Sequence, residues 1–206
     1  MHYFSKATIA DLNTRYRNNL INSISGYKSA NLIGSISENG TTNLAVFNSI
    51  IHLGSNPALL GFILRPTTVP RNSFSNMKKT GVFTVNHINK NQIEDAHHTS
   101  AKYPETISEF DQTNLNPTYK GGFSAPFVEG APVQIACRYV NDYLIKENDT
   151  RLVVGAIEGV YVANEMMLDD GWVQLDLGEV VTINGLDGYA LPQLLQRFPY
   201  ARPKEH

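Results

Sequence analysis

Residues 43–66 read NLAVFNSIIHLGSNPALLGFILRP, and this stretch decides the fold class. The apolar run 59–64 lies between Pro57 and Pro66, which is typical of a short strand that is buried on both faces. Segments 29–37 and 42–47 are two further predicted strands. They are expected to form a hairpin because Asn39-Gly40 between them is a favoured tight-turn dipeptide. Three strands are thus expected within the first third of the chain.

Further strands are predicted at 82–87, 131–145 and 150–163, the last two forming a hairpin across 146–149. Short helices are expected at 73–81, where Ser73 would cap the helix, at 91–101 and at 104–110, and a long loop is expected at 111–130. The pattern predicts a mainly β protein, a closed antiparallel Greek-key-like barrel with short peripheral helices. A doubly wound α/β sheet is second, because the long helices between strands are missing.

The 206 residues suit a single domain over 1–206, with an N-terminal extension at 1–24, a loop plus a short helix, and an ordered C-terminal tail at 182–206. The net charge of -2 argues against nucleic acid as a partner. The apolar runs are too short for a membrane span, the first thirty residues lack a signal-peptide core, and Cys137 is the single cysteine. We therefore expect a cytoplasmic protein without membrane association.

The charge is distributed unevenly along the chain. Residues 39–93 contain five basic side chains and no Asp or Glu, so the acids lie outside this window. Inside it, 62–73 (FILRPTTVPRNS) combines arginine, threonine, asparagine and serine just before a predicted helix start. Guanidinium groups, hydroxyls and the free N–H groups of a helix start are the donors that hold phosphate. From this segment alone, an anion site and a solvated surface loop are equally good interpretations.

Two neighbouring segments favour the anion site. The stretch 47–57 carries Asn48, Ser49, Ser55 and Asn56 after one strand, and the next strand ends at Arg65. Residues 97–104 add Thr99, Ser100 and Lys102 with no acid between Asp95 and Glu105.

Other kinds of site are not indicated by the sequence. The phosphate-loop, dinucleotide-fold and serine-hydrolase motifs are absent, and adjacent His97-His98 cannot both face one metal on a helix, so no metal is expected. Cys137 lies inside a predicted strand and is expected to be a small buried side chain.

Several long motifs in order resemble the flavin reductase-like proteins, the FMN-binding split barrels that include reductase components of two-component flavin monooxygenases such as that for nitrilotriacetate. The motifs are 43–66, TVNHI (84–88), HTSAKYP (98–104), SEF (108–110) and GLDGYALPQLLQRFPYARP (185–203). The resemblance covers about residues 25–203. It implies a homodimer with FMN near the subunit interface, NAD(P)H as electron donor and a possible flavin-dependent monooxygenase partner.

The resemblance also implies which residues bind FMN. They are Asn43, Ala45, Phe47, Asn48, Ser49, Arg65, Thr67, Arg71, Asn72, Ser73, Ser100, Ala101 and Lys102. Relatives often carry a hydroxyl residue at position 48, so the contact made by Asn48 is open. His87 and His98 are candidates for the nicotinamide side of the flavin, with a purely structural role as the alternative for each. Tyr189, Arg197, Phe198 and Arg202 either reach a partner subunit's site or only pack.

The expected function is therefore an FMN-binding oxidoreductase, an NAD(P)H:flavin reductase. The alternatives are a non-catalytic FMN-binding or redox-sensing flavoprotein and, less favoured, an RNA-binding module that uses the basic window.

Overall fold

The computed structural model describes residues 1–203 of the chain. Within that range the α-helices are Lys6–Asp11 (α1), Thr14–Ser23 (α2), Asn72–Thr80 (α3) and Ile93–His98 (α4). The strands are Lys28–Ser29 (β1), Asn31–Ile36 (β2), Thr42–Phe47 (β3), Ile51–Ser55 (β4), Ala58–Leu64 (β5), Val82–His87 (β6), Pro117–Thr118 (β7), Phe127–Val128 (β8), Val133–Ile145 (β9), Thr150–Val162 (β10), Thr182–Asn184 (β11) and Gly188–Ala190 (β12).

Seven strands form one antiparallel sheet in the order β3-β2-β6-β9-β10-β5-β4. The hairpin β2–β3 has the predicted turn, with Gly40 at φ 86°, a left-handed conformation that suits glycine. Strands β9 and β10 form the predicted long hairpin. A smaller sheet in the order β1-β11-β12 joins the two ends of the chain. The prediction of a mainly β split barrel with short peripheral helices is confirmed.

The two sides of the large sheet approach each other where the chain leaves β3. The Phe47 ring lies 5.1 Å from the Phe62 ring of β5 in an edge-to-face contact. The Ser49 hydroxyl accepts from the Ile63 N–H at 3.1 Å and donates to the Ile63 carbonyl at 3.2 Å. These contacts bring the end of β3 beside the end of β5, and therefore beside Arg65.

Strand β2 separates two apolar cores, which explains why nearly every residue in it is buried. Ile33 packs inside the barrel with Phe62 and Phe83, whereas Leu32 packs on the other face with Leu44 and Ile88. Alternate side chains of a strand point to opposite faces, so a strand with a core on both sides is buried throughout, and here the buried residues include the polar Asn31 and Ser35. A Cβ at Gly34 would lie 2.2 Å from the Pro126 carbonyl oxygen, so the chain around Pro126 packs directly on this strand.

Some local predictions were wrong. Residues 104–110 do not form a helix; turns and a 3₁₀ turn at Glu109–Gln112 take their place, because the Ser108 side chain caps that turn by accepting from the Phe110 N–H. Strand β4 was missed, since its side chains are mostly exposed and carry no clear apolar alternation. The N-terminal extension holds two helices, α1 and α2, instead of one.

The C-terminal tail consists of two short strands followed by an irregular segment. Strands β11 and β12 pair with each other and with β1, but residues 191–203 are exposed and irregular. Arg197 holds this segment through an ion pair with Asp170 at 2.7 Å and a cation–π contact with Trp172. Residues 204–206 of the predicted tail lie outside the described range. In residues 1–203, no helix has the length and apolar character to cross a bilayer.

Candidate functional site

The N-terminus of α3 has no side-chain cap. Arg71 occupies the capping position with φ -128° and ψ 91°, and its side chain accepts nothing from the first turn, which also contains no acid. The first N–H groups of a helix have no partner inside the helix, and they carry a partial positive charge. This end of α3 is therefore positive and has unsatisfied donors.

The Arg71 guanidinium adds charge at the same place. Its terminal amine donates to the Pro66 carbonyl at 3.3 Å, whereas its Nε is buried and has no partner among residues 1–203. A buried charged donor without an acceptor is costly. Arg71 is thus held in position by the loop, and its buried Nε–H is left for an acceptor from outside the described residues.

Ser73 fixes the helix start to the barrel, and this corrects the prediction that it caps the helix. It lies inside α3, it is buried, and it accepts from the Asn43 amide of β3 at 2.8 Å. A second amide–hydroxyl bond, from Asn76 to Ser35 at 3.2 Å, lies further along the helix. The start of α3 is therefore held in a fixed place beside the strand.

Arg65 and Thr67 are exposed on the loop that leads to this helix start, and Asn72 is half-buried in its first turn. The ion pairs among the described residues involve neither Arg65 nor Arg71. We call Arg65, Thr67, Arg71, Asn72 and Ser73 the donor cluster.

Glu109 is a buried residue of this region that was not predicted to take part. Its carboxylate accepts from the Leu44 N–H of β3 at 2.8 Å, and burial raises its pKa although this bond opposes the rise. Strand β3 is at the edge of the sheet. Because Leu44 points its N–H away from β2, the Val46 N–H and carbonyl point the same way. Glu109 thus satisfies the Leu44 N–H at the open edge of β3. The motif SEF at 108–110, which contains Glu109, was the sequence feature that could have indicated its role.

The remaining residues after β3 are engaged within the chain. The Asn48 amide donates to the Gly185 carbonyl at 2.9 Å, so it faces the β11–β12 turn. Ser49 is bonded to Ile63. Ala45 and Phe47 are half-buried and share the barrel face of β3 with Asn43.

The loop 99–103 lies beyond α4, which packs against the outer core that includes Leu44. Ser100, Ala101 and Lys102 are exposed, and the first two use their N–H groups to close the end of α4. No hydrogen bond of the described residues joins this loop to the donor cluster. His98 is exposed and lies 2.7 Å from the Tyr103 hydroxyl.

His87 differs from the exposed His98 because its Nδ1 is buried. Desolvation lowers the pKa of His87 to about 4, so its imidazole is neutral at pH 7. Within residues 1–203 its Nδ1 has no hydrogen-bond partner, and neither has Oδ1 of Asn31, the residue that pairs with His87 on β2.

Other chemistry is not supported by the described residues. No group of three His, Cys, Asp or Glu side chains that could hold a metal ion occurs among them. The Cys137 thiol is buried, and desolvation raises its pKa well above its usual value, so it is not a nucleophile at neutral pH.

The comparisons with known proteins agree on the family. Residues 27–174 match the flavin reductase like domain. A search of curated proteins finds no match. A solved structure from Shewanella frigidimarina NCIMB 400, described as a flavin reductase with split barrel domain, is 44% identical, with a TM-score of 0.94 over 98% of this chain and 100% of that one.

Two more distant structures share the fold. Nitrilotriacetate monooxygenase component B from Bacillus cereus has a TM-score of 0.82 at 18% identity, covering 97% of this chain and 98% of that one. The 2-nitrobenzoate 2-nitroreductase of Pseudomonas fluorescens has a TM-score of 0.81 at 18% identity, covering 98% and 99%. With a domain match over most of its length and a relative at 44% identity, this chain belongs to the flavin reductase-like family of split-barrel proteins.

Proposed function

We propose that the protein is an NAD(P)H:flavin reductase that binds FMN, with the phosphate of FMN at the donor cluster. One observation carries this proposal: the buried Arg71 Nε has no partner among residues 1–203 and lies at the uncapped start of α3, in a sequence window without acids. A terminal phosphate would accept from the guanidinium and from the helix N–H groups together.

The residues fit this role to different degrees. Arg71 and the backbone of Asn72 and Ser73 are fixed by the fold, whereas Arg65 and Thr67 are on an exposed loop and would order on binding. The Ser73 hydroxyl already accepts from Asn43, and its own hydrogen is free to donate. We expect Arg71 to contribute most, because its position is already set before the ligand arrives.

The flavin ring is assigned to the edge of β3. The outward N–H and carbonyl of Val46 suit the polar edge of a flavin, and the apolar side chains of Ala45 and Phe47 suit its ring system. The loop at Ser100, Ala101 and Lys102 would approach the ring from the α4 side. Asn48 and Ser49 act indirectly in this proposal, since both are engaged elsewhere and hold the chain next to the site.

When bound, FMN supplies the redox chemistry, accepting a hydride from the nicotinamide. The chain contributes binding, orientation and exclusion of water, and no protein general base is needed for hydride transfer. The neutral His87 is compatible with this chemistry.

A homodimer is also proposed. The tail 191–203 exposes apolar side chains that a monomer would leave in water, with Leu195 92%, Phe198 75% and Tyr200 90% exposed. A second copy would cover them, and sedimentation should then give a dimer. A monooxygenase partner is consistent with the name of the Bacillus cereus component B, and reduction of another acceptor is consistent with the name of the nitroreductase.

The test is a titration of the purified protein with FMN, followed by flavin fluorescence. We expect saturable quenching or enhancement with one FMN for each chain, and NADH or NADPH oxidation that depends on added FMN. An unchanged fluorescence signal would remove the proposal. FMN binding without dinucleotide oxidation would indicate the non-catalytic flavoprotein instead.

A further inference from the structure

A cavity of about 380 Å³ lies between helix α2 and the turn that joins β11 to β12. Its volume is at the lower end of the range for ligand sites, about 300–1,000 Å³, and suits part of a dinucleotide. The residues that line it are Asn19, Ser23, Tyr27, Asn184, Gly185, Leu186, Asp187, Gly188 and Tyr189.

The cavity adjoins the candidate site through two contacts. Asn48, which directly follows β3, donates to the Gly185 carbonyl at 2.9 Å. The Tyr189 hydroxyl lies 3.3 Å from Nδ1 of His97 on α4. These contacts place the cavity next to the end of β3 and next to α4.

The walls combine aromatic rings with neutral polar groups. Tyr27 and Tyr189 offer faces for a planar heterocycle, and Asn19, Ser23 and Asn184 offer amides and a hydroxyl. Burial, and then the nearby Asp187 carboxylate, raise the pKa of Tyr189 to about 12, so its hydroxyl keeps its proton. This lining suits a nucleoside better than an apolar molecule.

The charge of the cavity is negative. Asp187 is its only charged lining residue within the described part of the chain, and it is in none of the ion pairs found there. The cations of the same region are turned to backbone carbonyls: Lys28 donates to Asn22 and Gly26, and Arg17 donates to Ala10 and Leu12. The lining itself contains no arginine or lysine, so its walls offer no cation that could receive a phosphate.

A carboxylate accepts from a ribose hydroxyl, and it repels a phosphate at the same position. NADH and NADPH differ only in that group, since NADPH carries a 2′-phosphate on the adenosine ribose. We propose that this cavity binds the adenosine end of the nicotinamide donor and that Asp187 accepts from the ribose 2′-hydroxyl, so that the protein uses NADH in preference to NADPH. The proposal takes its ligand from the proposed reductase function and adds the residue that selects it.

Calorimetry on the FMN-loaded full-length protein tests the cavity without turnover. The probes are ADP-ribose and 2′-phospho-ADP-ribose. We expect ADP-ribose to bind at least about tenfold more tightly than its phosphorylated form. Asp187→Asn should weaken ADP-ribose binding several-fold and reduce the preference to about threefold or less, whereas Asp187→Glu should keep most of it. Asp169→Asn, an exposed acid outside the cavity, is the matched control.

Three results would overturn the proposal: neither probe binds, both bind equally well, or Asp187→Asn behaves like Asp169→Asn. Steady-state kinetics then separates this failure from that of the reductase function. We expect the NADH preference to fall in Asp187→Asn through KM, with kcat unchanged. If Asp187→Asn and Asp169→Asn oxidise NADH with the same preference over NADPH, Asp187 has no role in selecting the donor, and the reductase function stands. Selective ADP-ribose binding without any dinucleotide oxidation removes the reductase function and leaves the cavity assignment intact.

Discussion

The two ends of helix α3 both carry basic side chains, but only one end has acids to match them. At the C-terminal end, Lys78 pairs with Asp142 at 3.3 Å and Lys79 pairs with Glu38 at 3.4 Å, and Gly81 ends the helix in the left-handed region. At the N-terminal end, the described part of the chain offers no acceptor to the buried Nε of Arg71.

The helix dipole gives this difference between the two ends of α3 an energetic meaning. Cations near a helix C-terminus are stabilising, and cations near the N-terminus are unfavourable unless an anion lies between them and the helix. The charges at the C-terminal end of α3 are therefore paired within the protein, whereas the N-terminal end needs an anion from outside to pair its charge and donors. A place where a fold leaves charge and donors unsatisfied is a strong indication of a ligand.

The largest expected effect concerns FMN binding at the N-terminal end. Arg71→Ala should weaken FMN binding by about 1.5–3 kcal/mol, because a charge-assisted hydrogen bond is lost. Arg65→Ala should have a smaller effect, since that side chain is exposed and less ordered before binding. Fluorescence titration measures both dissociation constants.

The control for Arg71→Ala is Lys79→Ala at the other end of the same helix. Its ion pair is exposed, and such pairs contribute about 0–1 kcal/mol to stability, so FMN binding should not change. Equal losses of FMN affinity in the two variants would mean that the two ends of α3 do not differ in function.

The second prediction concerns the bond that fixes the helix start. Ser73→Ala leaves the buried Asn43 amide without its acceptor, which should lower the free energy of unfolding by about 1–3 kcal/mol. Ser75→Ala, an exposed change in the same turn, is the matched control and should be nearly neutral. Urea denaturation of the FMN-free protein measures both changes. No difference between them would show that the Asn43–Ser73 bond does not hold the helix start.

The smallest effect is a pH dependence at the C-terminal end. Desolvation acts to raise the pKa of Asp142, but hydrogen bonds from Tyr139, Arg151 and Lys78 outweigh it and lower the pKa below its ordinary value of 3.8. A carboxyl group with a lowered folded-state pKa stabilises the protein above its unfolded-state pKa, and this contribution is lost as the pH falls through the folded-state value.

Asp142→Asn should therefore lower the melting temperature near neutral pH, and its difference from the unchanged protein should shrink as the pH falls below about 4. FMN binding at pH 7 should not change. A melting-temperature difference that is the same at pH 7 and pH 3 would contradict this account of the C-terminal end.

Local sequence patterns predicted the barrel well, because each pattern depends on one short segment. The Asn39-Gly40 turn, the strand at the apolar run 59–64 and the glycine after α3 depend on their immediate neighbours, and all three are confirmed. The expectation that β5 is buried on both faces is wrong, because Ile63 is exposed. Strand β4 was not predicted because its side chains are mostly exposed, although it pairs locally with β5. The turns at 104–112 were not predicted because part of what holds them is a contact with a distant strand. Glu109, for example, contacts Leu44 across 65 positions of the chain.

The fold class, the family and the acid-free window around Arg65 and Arg71 can all be read from the amino-acid sequence. These are properties of composition and order along the chain. Which donors remain unpaired is visible only in three dimensions, because pairing depends on distance. Asn48 is bonded to Gly185 and Ser49 to Ile63, whereas the buried Arg71 Nε has no partner among residues 1–203. The fold also places Asp187 in a cavity beside the site. The motif at 185–203 contains Asp187 but does not indicate this cavity, since its walls come from two segments, 19–27 and 184–189, that are distant in the chain.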